Sequence, residues 1–149
     1  MKSLLTGLGV LAAVWAVQVD AAEVTWRKDI KPIFDRQCAV CHGTESPEVE
    51  EFGLDKKKWA DKGTGMRMNS YSHLISFVGW PDSGALMRRL DDGSSKADRK
   101  PGNMFENLGA DDAERKANLA IFKAWVGNWN LKRWKDLTKE EMNSLQIKY

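Results

Sequence analysis

The sequence predicts an all-helical fold with long loops, and two observations support this prediction. No stretch shows the alternation of apolar and polar residues that marks a half-buried strand, whereas several segments repeat apolar residues at helical spacing. Between these segments lie long stretches rich in glycine, proline and charge. Because 149 residues suffice for one ordinary domain but not for two sizeable cores, we expect residues 22–149 to form a single domain.

The first residues have the pattern of an export signal. Lys2 precedes an apolar run from Leu4 to Val19, and small residues follow the run. We predict a signal peptide over residues 1–21, cleaved after Ala21, and therefore a mature chain in the periplasm. An uncleaved membrane anchor is the alternative, because the run is only a little shorter than the roughly 20 residues that span a bilayer.

A first helix of the mature chain is predicted over "DIKPIFDRQCAVCH". Asp29 is a suitable N-cap, and Pro32 is tolerated because it falls in the first helical turn. Gly43 would end the helix, and the segment from there to residue 69 is predicted to be a long loop because it lacks sustained periodicity. The apolar face of the helix would contain Ile30, Ile33, Phe34, Cys38 and Cys41.

Two short helices are predicted next, within "SYSHLISFVGW" and "DSGALMRRLDDG", separated by Pro81 and ended by Gly93. After a further loop, "ADDAERKANLAIFKAWVGNWN" predicts the longest helix, with acidic residues in its first turn. In the tail that begins near residue 131, Thr138 and Glu141 predict a capping box at the start of a last short helix. The apolar stripe of the long helix would contain Ala117, Ile121, Ala124, Trp125 and Trp129.

Both cysteines of the chain and one of its two histidines lie within "CAVCH", Cys38 to His42. A disulfide is one interpretation for an exported protein, but so small a loop would constrain the unfolded chain little. A thioredoxin-like redox pair would lie between a strand and a helix, and a zinc site would usually draw four ligands from two separated pairs. None of these alternatives explains a histidine directly after the second cysteine.

The pattern Cys-x-x-Cys-His is the attachment signal for c-type haem. Two thiols about one helical turn apart can add to the two vinyl groups on one edge of a porphyrin, and the next residue then points at the iron. The sequence therefore predicts one covalent haem on Cys38 and Cys41, with His42 as the proximal iron ligand. A backbone carbonyl should hold the other ring nitrogen of His42, and Pro47 lies near the expected position of that carbonyl.

Residues 26–130 resemble the bacterial monohaem cytochromes c of the class I type. The resemblance rests on "DIKPIFDRQCAVCH", "FGLD", "DSGALMRRLDDG", "KPGNM" and "LAIFKAWV" in this order. It implies a cytochrome c-like helical fold around one haem, and a sixth iron ligand that is normally a methionine in the loop before the last helix. The tail after residue 130 lies outside the usual pattern.

Met104 matches the place of this sixth ligand best, because "KPGNMF" turns at Pro101 and Gly102 and the long helix follows shortly afterwards. The proline that often follows the methionine in such cytochromes is replaced here by Phe105. As the sixth iron ligand, a histidine would lower the haem potential, whereas a methionine thioether would raise it. After Met104 the candidates are His73, then Met66 and Met68, while Met87 is expected to fill the core.

The expected function is that of an exported monohaem electron carrier rather than an enzyme. The alternatives are a haem-bearing subunit of a larger dehydrogenase or oxidase complex, and a haem protein with an open distal position that binds a small ligand. An electron carrier is expected to have redox proteins as partners, a donor dehydrogenase or a terminal oxidase. Nucleic acid is not an expected partner, because a net charge of +2 is too small for binding its phosphates. Residues 56–58 with Lys62 form a candidate docking patch for an acidic partner, and Trp134 with Lys132, Arg133 and Lys135 is a candidate contact with a membrane surface.

Overall fold

The computed structural model describes residues 23–149, so the predicted signal peptide and its cleavage site lie outside the described residues. Every regular element in this part of the chain is helical, as predicted, and none is long and apolar enough to cross a membrane. A π-helical turn, Trp26–Ile30, leads into α1 (Lys31–Gln37) and α2 (Ala39–His42). The later helices are α3 (Val49–Leu54), α4 (Lys56–Asp61), α5 (Tyr71–Ile75), α6 (Ala85–Leu90), α7 (Asp112–Val126) and α8 (Lys139–Asn143), with 3-10 turns at Phe105–Leu108 and Trp134–Asp136.

The first helical segment begins before its predicted N-cap. Thr25 is the cap, because its hydroxyl accepts a hydrogen bond from the Lys28 N–H at 3.3 Å. Asp29 serves the same cap from inside the helix, where its carboxylate accepts a hydrogen bond from the Thr25 N–H at 2.7 Å. Cys38, with a φ of −116°, separates α1 from α2, and Gly43 ends α2 as predicted. Of the predicted apolar face, Ile30, Ile33 and Phe34 are buried.

The long helix α7 was predicted in the right place, and Trp125 is buried as predicted, but other members of the predicted stripe are not. It ends at Val126, followed by Gly127 with a φ of +79°, so Trp129 lies beyond the helix. Ala117 and Ala124 are exposed, because α7 packs on the π-helical turn and the 3-10 turn through a neighbouring stripe. The buried residues of α7 are Asn118, Leu119, Phe122, Trp125 and Val126.

The segment predicted as a long loop after Gly43 contains two helices, α3 and α4, so that prediction was wrong. Neither helix has a buried residue, so no apolar stripe marks it in the sequence. α4 is started by Asp55, whose side chain accepts a hydrogen bond from the Lys58 N–H at 3.0 Å. Residues 43–48 and 62–69 of this segment are irregular, and residues 65–68 pass beside α2.

The C-terminal tail returns to the start of the described chain. The carbonyl of Lys148 accepts hydrogen bonds from the Trp26 N–H and from the Trp125 indole N–H, both at 2.8 Å. The Ile147 N–H donates to the Trp125 carbonyl at 2.9 Å, and the Ile147 carbonyl accepts from the Tyr71 hydroxyl at 2.6 Å. The tail is therefore hydrogen-bonded to Trp26 and Trp125 of the core and is part of the fold.

The predicted capping box of α8 is present. The Glu141 N–H donates to the Thr138 hydroxyl at 3.2 Å, and the Thr138 N–H donates to the Glu141 carboxylate at 3.0 Å. The same carboxylate binds the Lys132 ammonium at 2.6 Å. This contact links the segment before the 3-10 turn Trp134–Asp136 to α8. Local sequence was enough to predict this element because all of its capping contacts are local.

Candidate functional site

The two cysteines of the "CAVCH" motif are free and half-buried at the junction of α1 and α2. Burial, together with the nearby Cys41, raises the pKa of the Cys38 thiol to about 11, so this thiol is protonated near neutral pH. A reactive redox pair would need a lowered thiol pKa. Within residues 23–149 no group of three or more His, Cys, Asp and Glu side chains could hold a metal ion, so the zinc interpretation lacks its ligands.

His42 is held by one ring nitrogen. Its Nδ1 lies 2.6 Å from the carbonyl oxygen of Met66, and because a carbonyl can only accept, Nδ1 carries the proton. Nε2 is then the ring nitrogen with a free lone pair, and no hydrogen bond within the described residues uses it. The predicted role of Pro47 was wrong, because its carbonyl accepts from the Arg67 N–H at 2.8 Å. The carbonyl on His42 comes instead from 24 residues further along the chain.

Residues 65–68, which we call the histidine strap, lie directly against His42. The Gly65 N–H donates to the Cys41 carbonyl at 2.8 Å, and the Met68 N–H donates to the His42 carbonyl at 3.0 Å. A Cβ on Gly65 would stand 2.2 Å from Cε1 of the imidazole, so only glycine permits this approach. The strap was not predicted from the sequence; its one local signal is Gly65 within "GTGMRM".

Side chains tie the strap to the segment before α3. Arg67 contacts the Glu48 carboxylate at 3.1 Å and the Asn69 side-chain oxygen at 3.0 Å. The other Glu48 oxygen lies 3.3 Å from Nε2 of His73. His73, the second candidate for the sixth ligand, is therefore engaged with a carboxylate on the strap's side of the molecule.

Met104 lies on the loop between α6 and the 3-10 turn Phe105–Leu108. Its N–H donates to the Arg89 carbonyl at 3.0 Å, and the Gly102 N–H donates to the Asp91 carbonyl at 2.7 Å. The loop therefore rests on the C-terminal end of α6. The Met104 side chain is half-buried against the core, and its sulfur has one polar neighbour, the Asn107 amide nitrogen at 3.7 Å.

Of the other three candidate methionines, one has the role that the sequence predicted. Met87 is 1% exposed and fills the core, which confirms that prediction. Met66 and Met68 are partly buried members of the strap, where the first contributes its carbonyl and the second its N–H. Neither backbone role was expected from the sequence.

Asp91 anchors the loop that carries Met104, and it was not among the residues predicted from the sequence. Its side chain is fully buried, with one oxygen 3.0 Å from the Trp129 indole N–H and the other 2.8 Å from the Gly93 N–H. Burial alone would raise the pKa of Asp91, but hydrogen bonds from Trp129, Ser95 and Gly93 outweigh it and hold the pKa below its ordinary value. An ionised carboxylate therefore joins α6, the loop and the segment after α7.

A carbonyl-oriented imidazole beside two free thiols fits covalent haem attachment, which defines the class of c-type cytochromes. The family model described as PccH Cytochrome c matches residues 25–149, and the chain belongs to this family. The chain is also similar to a solved structure, the monohaem cytochrome PccH from Geobacter sulfurreducens. The two share 61% sequence identity over 86% of this chain and 100% of the other, with a TM-score of 0.82. None of the curated proteins matches this chain.

The chain is thus a monohaem c-type cytochrome, an electron-transfer protein with one covalent haem c. This confirms the predicted helical cytochrome c fold and the predicted cofactor. The family match also includes the tail after residue 130, which the sequence analysis had placed outside the usual pattern. The contacts of Lys148 and Ile147 with the core explain why the tail belongs to the fold.

Proposed function

We propose that the protein is an exported electron carrier whose iron is ligated by His42 and Met104. The observation that carries the proposal is the 2.6 Å contact between His42 Nδ1 and the Met66 carbonyl. This contact fixes the tautomer and leaves the lone pair of Nε2 free to bind iron. Bound haem supplies a one-electron ferric–ferrous couple. Donation from Nδ1 increases the basicity of Nε2, so the strap strengthens the bond that His42 makes.

The strap favours Met104 over the other candidates for the sixth ligand. Met66 and Met68 belong to a segment bonded to Cys41 and His42, so both lie on the histidine's side. His73 is bound to Glu48, which holds the strap through Arg67. A ligand from the opposite side must come from another part of the chain. The Met104 loop is such a segment, because its backbone is fixed on α6 while its thioether has only a weak polar contact.

A thioether that fills the distal position favours a carrier over a haem protein that binds a small ligand. If His42 and Met104 both bound the iron, no ligand position would be open to a substrate, and little rearrangement would accompany gain or loss of an electron. A thioether also favours ferrous iron more than an imidazole would, which raises the reduction potential. Met104 is therefore both the sixth ligand and the main determinant of potential in this proposal.

Visible spectra of the holoprotein and two variants test the ligand assignment. Met104→Ala should abolish the weak long-wavelength ferric band of thioether ligation and lower the reduction potential, because a softer ligand is lost. His73→Ala is the matched control and should leave band and potential nearly unchanged. The reverse pattern would make His73 the ligand and Met104 a packing residue.

Export and the free state of the carrier are tested on protein isolated from its native cells. The mature N-terminus, determined by mass spectrometry, should be Ala22, the residue after the predicted cleavage site; a chain that keeps Met1 would favour a membrane-anchored carrier. Native mass should equal one chain with one haem. A larger stable assembly containing this chain would instead support the subunit alternative.

A further inference from the structure

A cleft between α6 and the Met104 loop collects positive charge. Four cationic side chains, Arg88, Arg89, Lys96 and Arg133, line it together with one carboxylate, Asp82. Its volume is about 440 Å³, and the turn at residues 101–103 contributes to its wall. The whole chain has a net charge of only +2, so this basic cleft carries more net positive charge than the entire protein.

The positive charge of the basic cleft is largely uncompensated. Arg88 reaches Asp82 at 3.2 Å, while Arg89 donates to the neutral side-chain oxygen of Asn103 at 2.8 Å. Among residues 23–149, no carboxylate lies within 4.0 Å of Arg89, Lys96 or Arg133. Burial, with repulsion from Arg133 and Arg89, lowers the pKa of Arg88 even though Asp82 opposes the shift. An incoming anion would relieve this repulsion.

Two exposed tryptophans lie close in sequence to residues that line the basic cleft. Trp80, two residues before Asp82, is 67% exposed, and Trp134, directly after Arg133, is 51% exposed. Tryptophan and arginine are the residue types enriched in the energetically important parts of protein interfaces. Asn103 lies in the wall of the cleft and immediately precedes Met104, so a partner seated there would touch the loop that carries the proposed distal ligand.

The docking patch predicted from the sequence, Lys56–Lys58 with Lys62, is a weaker candidate for binding an acidic partner than the basic cleft, because most of its charges already have a partner. Lys57 is paired with Asp61 at 2.5 Å. Lys58 and Lys62 lie over the Trp59 ring, with their ammonium nitrogens 4.7 Å and 5.2 Å from its centroid. Three of these four ammonium groups therefore already have a partner on α4.

We propose that the basic cleft is where the acidic face of a redox partner protein docks and exchanges an electron with this cytochrome. The inference rests on the proposed function as an electron carrier. Carboxylates of the partner would pair with Lys96, Arg133 and Arg89, while Trp80 and Trp134 supply apolar contact at the edge. The exchange is a single electron transfer: the ferrous cytochrome is oxidised, the partner is reduced by one electron, and no bond is made or broken.

Two small redox reagents of opposite charge test the steering. Ferrous holoprotein is oxidised in a stopped-flow instrument by ferricyanide, an anion, or by tris(phenanthroline)cobalt(III), a cation. The variant is Lys96→Glu with Arg133→Glu, and the control is Lys56→Glu with Lys58→Glu, which changes the net charge equally. The cleft variant should react about tenfold more slowly with ferricyanide and faster with the cobalt complex, and high salt should abolish the difference. Equal effects of the two double variants would overturn the proposal.

A binding measurement completes the test. Hexaglutamate, added to isotope-labelled ferrous protein, should shift the backbone amide resonances of residues 88–103 and 133, and the cleft variant should lose these shifts. Shifts centred on residues 56–62 would assign docking to the predicted patch and contradict the proposal. An unchanged haem spectrum and melting temperature in both double variants shows that the fold is intact. A protein without reducible haem would contradict the electron carrier itself, which separates that failure from failure of the cleft.

Discussion

The two sides of the proposed iron site are held in different ways. On one side, the strap bonds to the Cys41 and His42 backbone, and the Met66 carbonyl holds the imidazole itself at 2.6 Å. On the other side, Met104 is fixed through its backbone, and its sulfur has one polar neighbour at 3.7 Å. The orientation of the histidine is therefore set in advance by the fold. The position of the thioether depends on how well its loop is anchored.

The largest effect is expected from breaking the strap at Gly65. In Gly65→Ala the new Cβ would lie 2.2 Å from the imidazole Cε1, so the strap must move and the Met66 carbonyl must leave Nδ1. We expect a loss of about 2 kcal/mol in the free energy of unfolding from overpacking. We also expect a higher reduction potential, because a less basic Nε2 stabilises ferric iron less.

Potentiometric titration and denaturant unfolding of the holoprotein measure both changes. Gly53→Ala is the matched control, because Gly53 lies in the short helix α3 and a Cβ there meets nothing within 4 Å. It should leave the potential unchanged and the stability equal or slightly higher. If Gly65→Ala behaved like this control, the strap would have no part in orienting His42.

The next effect, on stability alone and without a shift in potential, is expected from loosening the anchor of the methionine loop. Asp91→Asn removes the charge that accepts hydrogen bonds from Trp129 and Gly93 and should lower the free energy of unfolding by about 2 kcal/mol at neutral pH. The folded-state pKa of Asp91 lies below its ordinary value of 3.8. Its stabilising contribution is therefore complete above that value and is lost as the pH falls through the folded pKa.

The difference between wild type and Asp91→Asn should accordingly shrink as unfolding is measured from about pH 7 down to about pH 3. Asp98→Asn, which changes an exposed carboxylate in the same loop, should be nearly neutral throughout. A difference for Asp91→Asn that is the same at both ends of this pH range would show that the residue does not act through its charge.

The smallest effect is expected at Asn107, the polar neighbour of the Met104 sulfur. An amide donor withdraws electron density from the thioether, so Asn107→Ala should lower the reduction potential slightly, by less than about 1 kcal/mol in redox free energy. Potentiometry is compared with that of Asn103→Ala, an exposed asparagine of the same loop. A rise in potential, or an equal change in both variants, would argue against this contact.

Local patterns account for what the sequence could predict. The motif at Cys38–His42, the core role of Met87 and the capping box of α8 each depend on neighbouring residues or on one helical period. The helices α3 and α4 were missed because neither has a buried residue, so neither shows an apolar stripe in the sequence. The buried face of α7 was predicted only in part, at Trp125, because the elements that pack on the helix determine which stripe is buried.

The features that the sequence could not predict are non-local. The carbonyl on His42 comes from Met66 rather than from Pro47, because the irregular segment after α4 folds back over α2. Asp91 accepts a hydrogen bond from the indole of Trp129, 38 residues further along the chain. The basic cleft draws Arg88, Lys96 and Arg133 from three separate segments, whereas the lysines adjacent in sequence are engaged with α4. Spacing along the chain carries no information on such encounters.

X-ray absorption at the iron edge of the wild-type holoprotein tests the proposed His42–Met104 ligation most directly. The method counts the atoms bound to iron and distinguishes sulfur from nitrogen without altering a residue. We expect five nitrogen neighbours and one sulfur neighbour in both the ferric and the ferrous states, since neither proposed ligand should leave on reduction. Six nitrogens would make His73 the sixth ligand, and five nitrogens without sulfur would show an open distal position; either result would contradict the account.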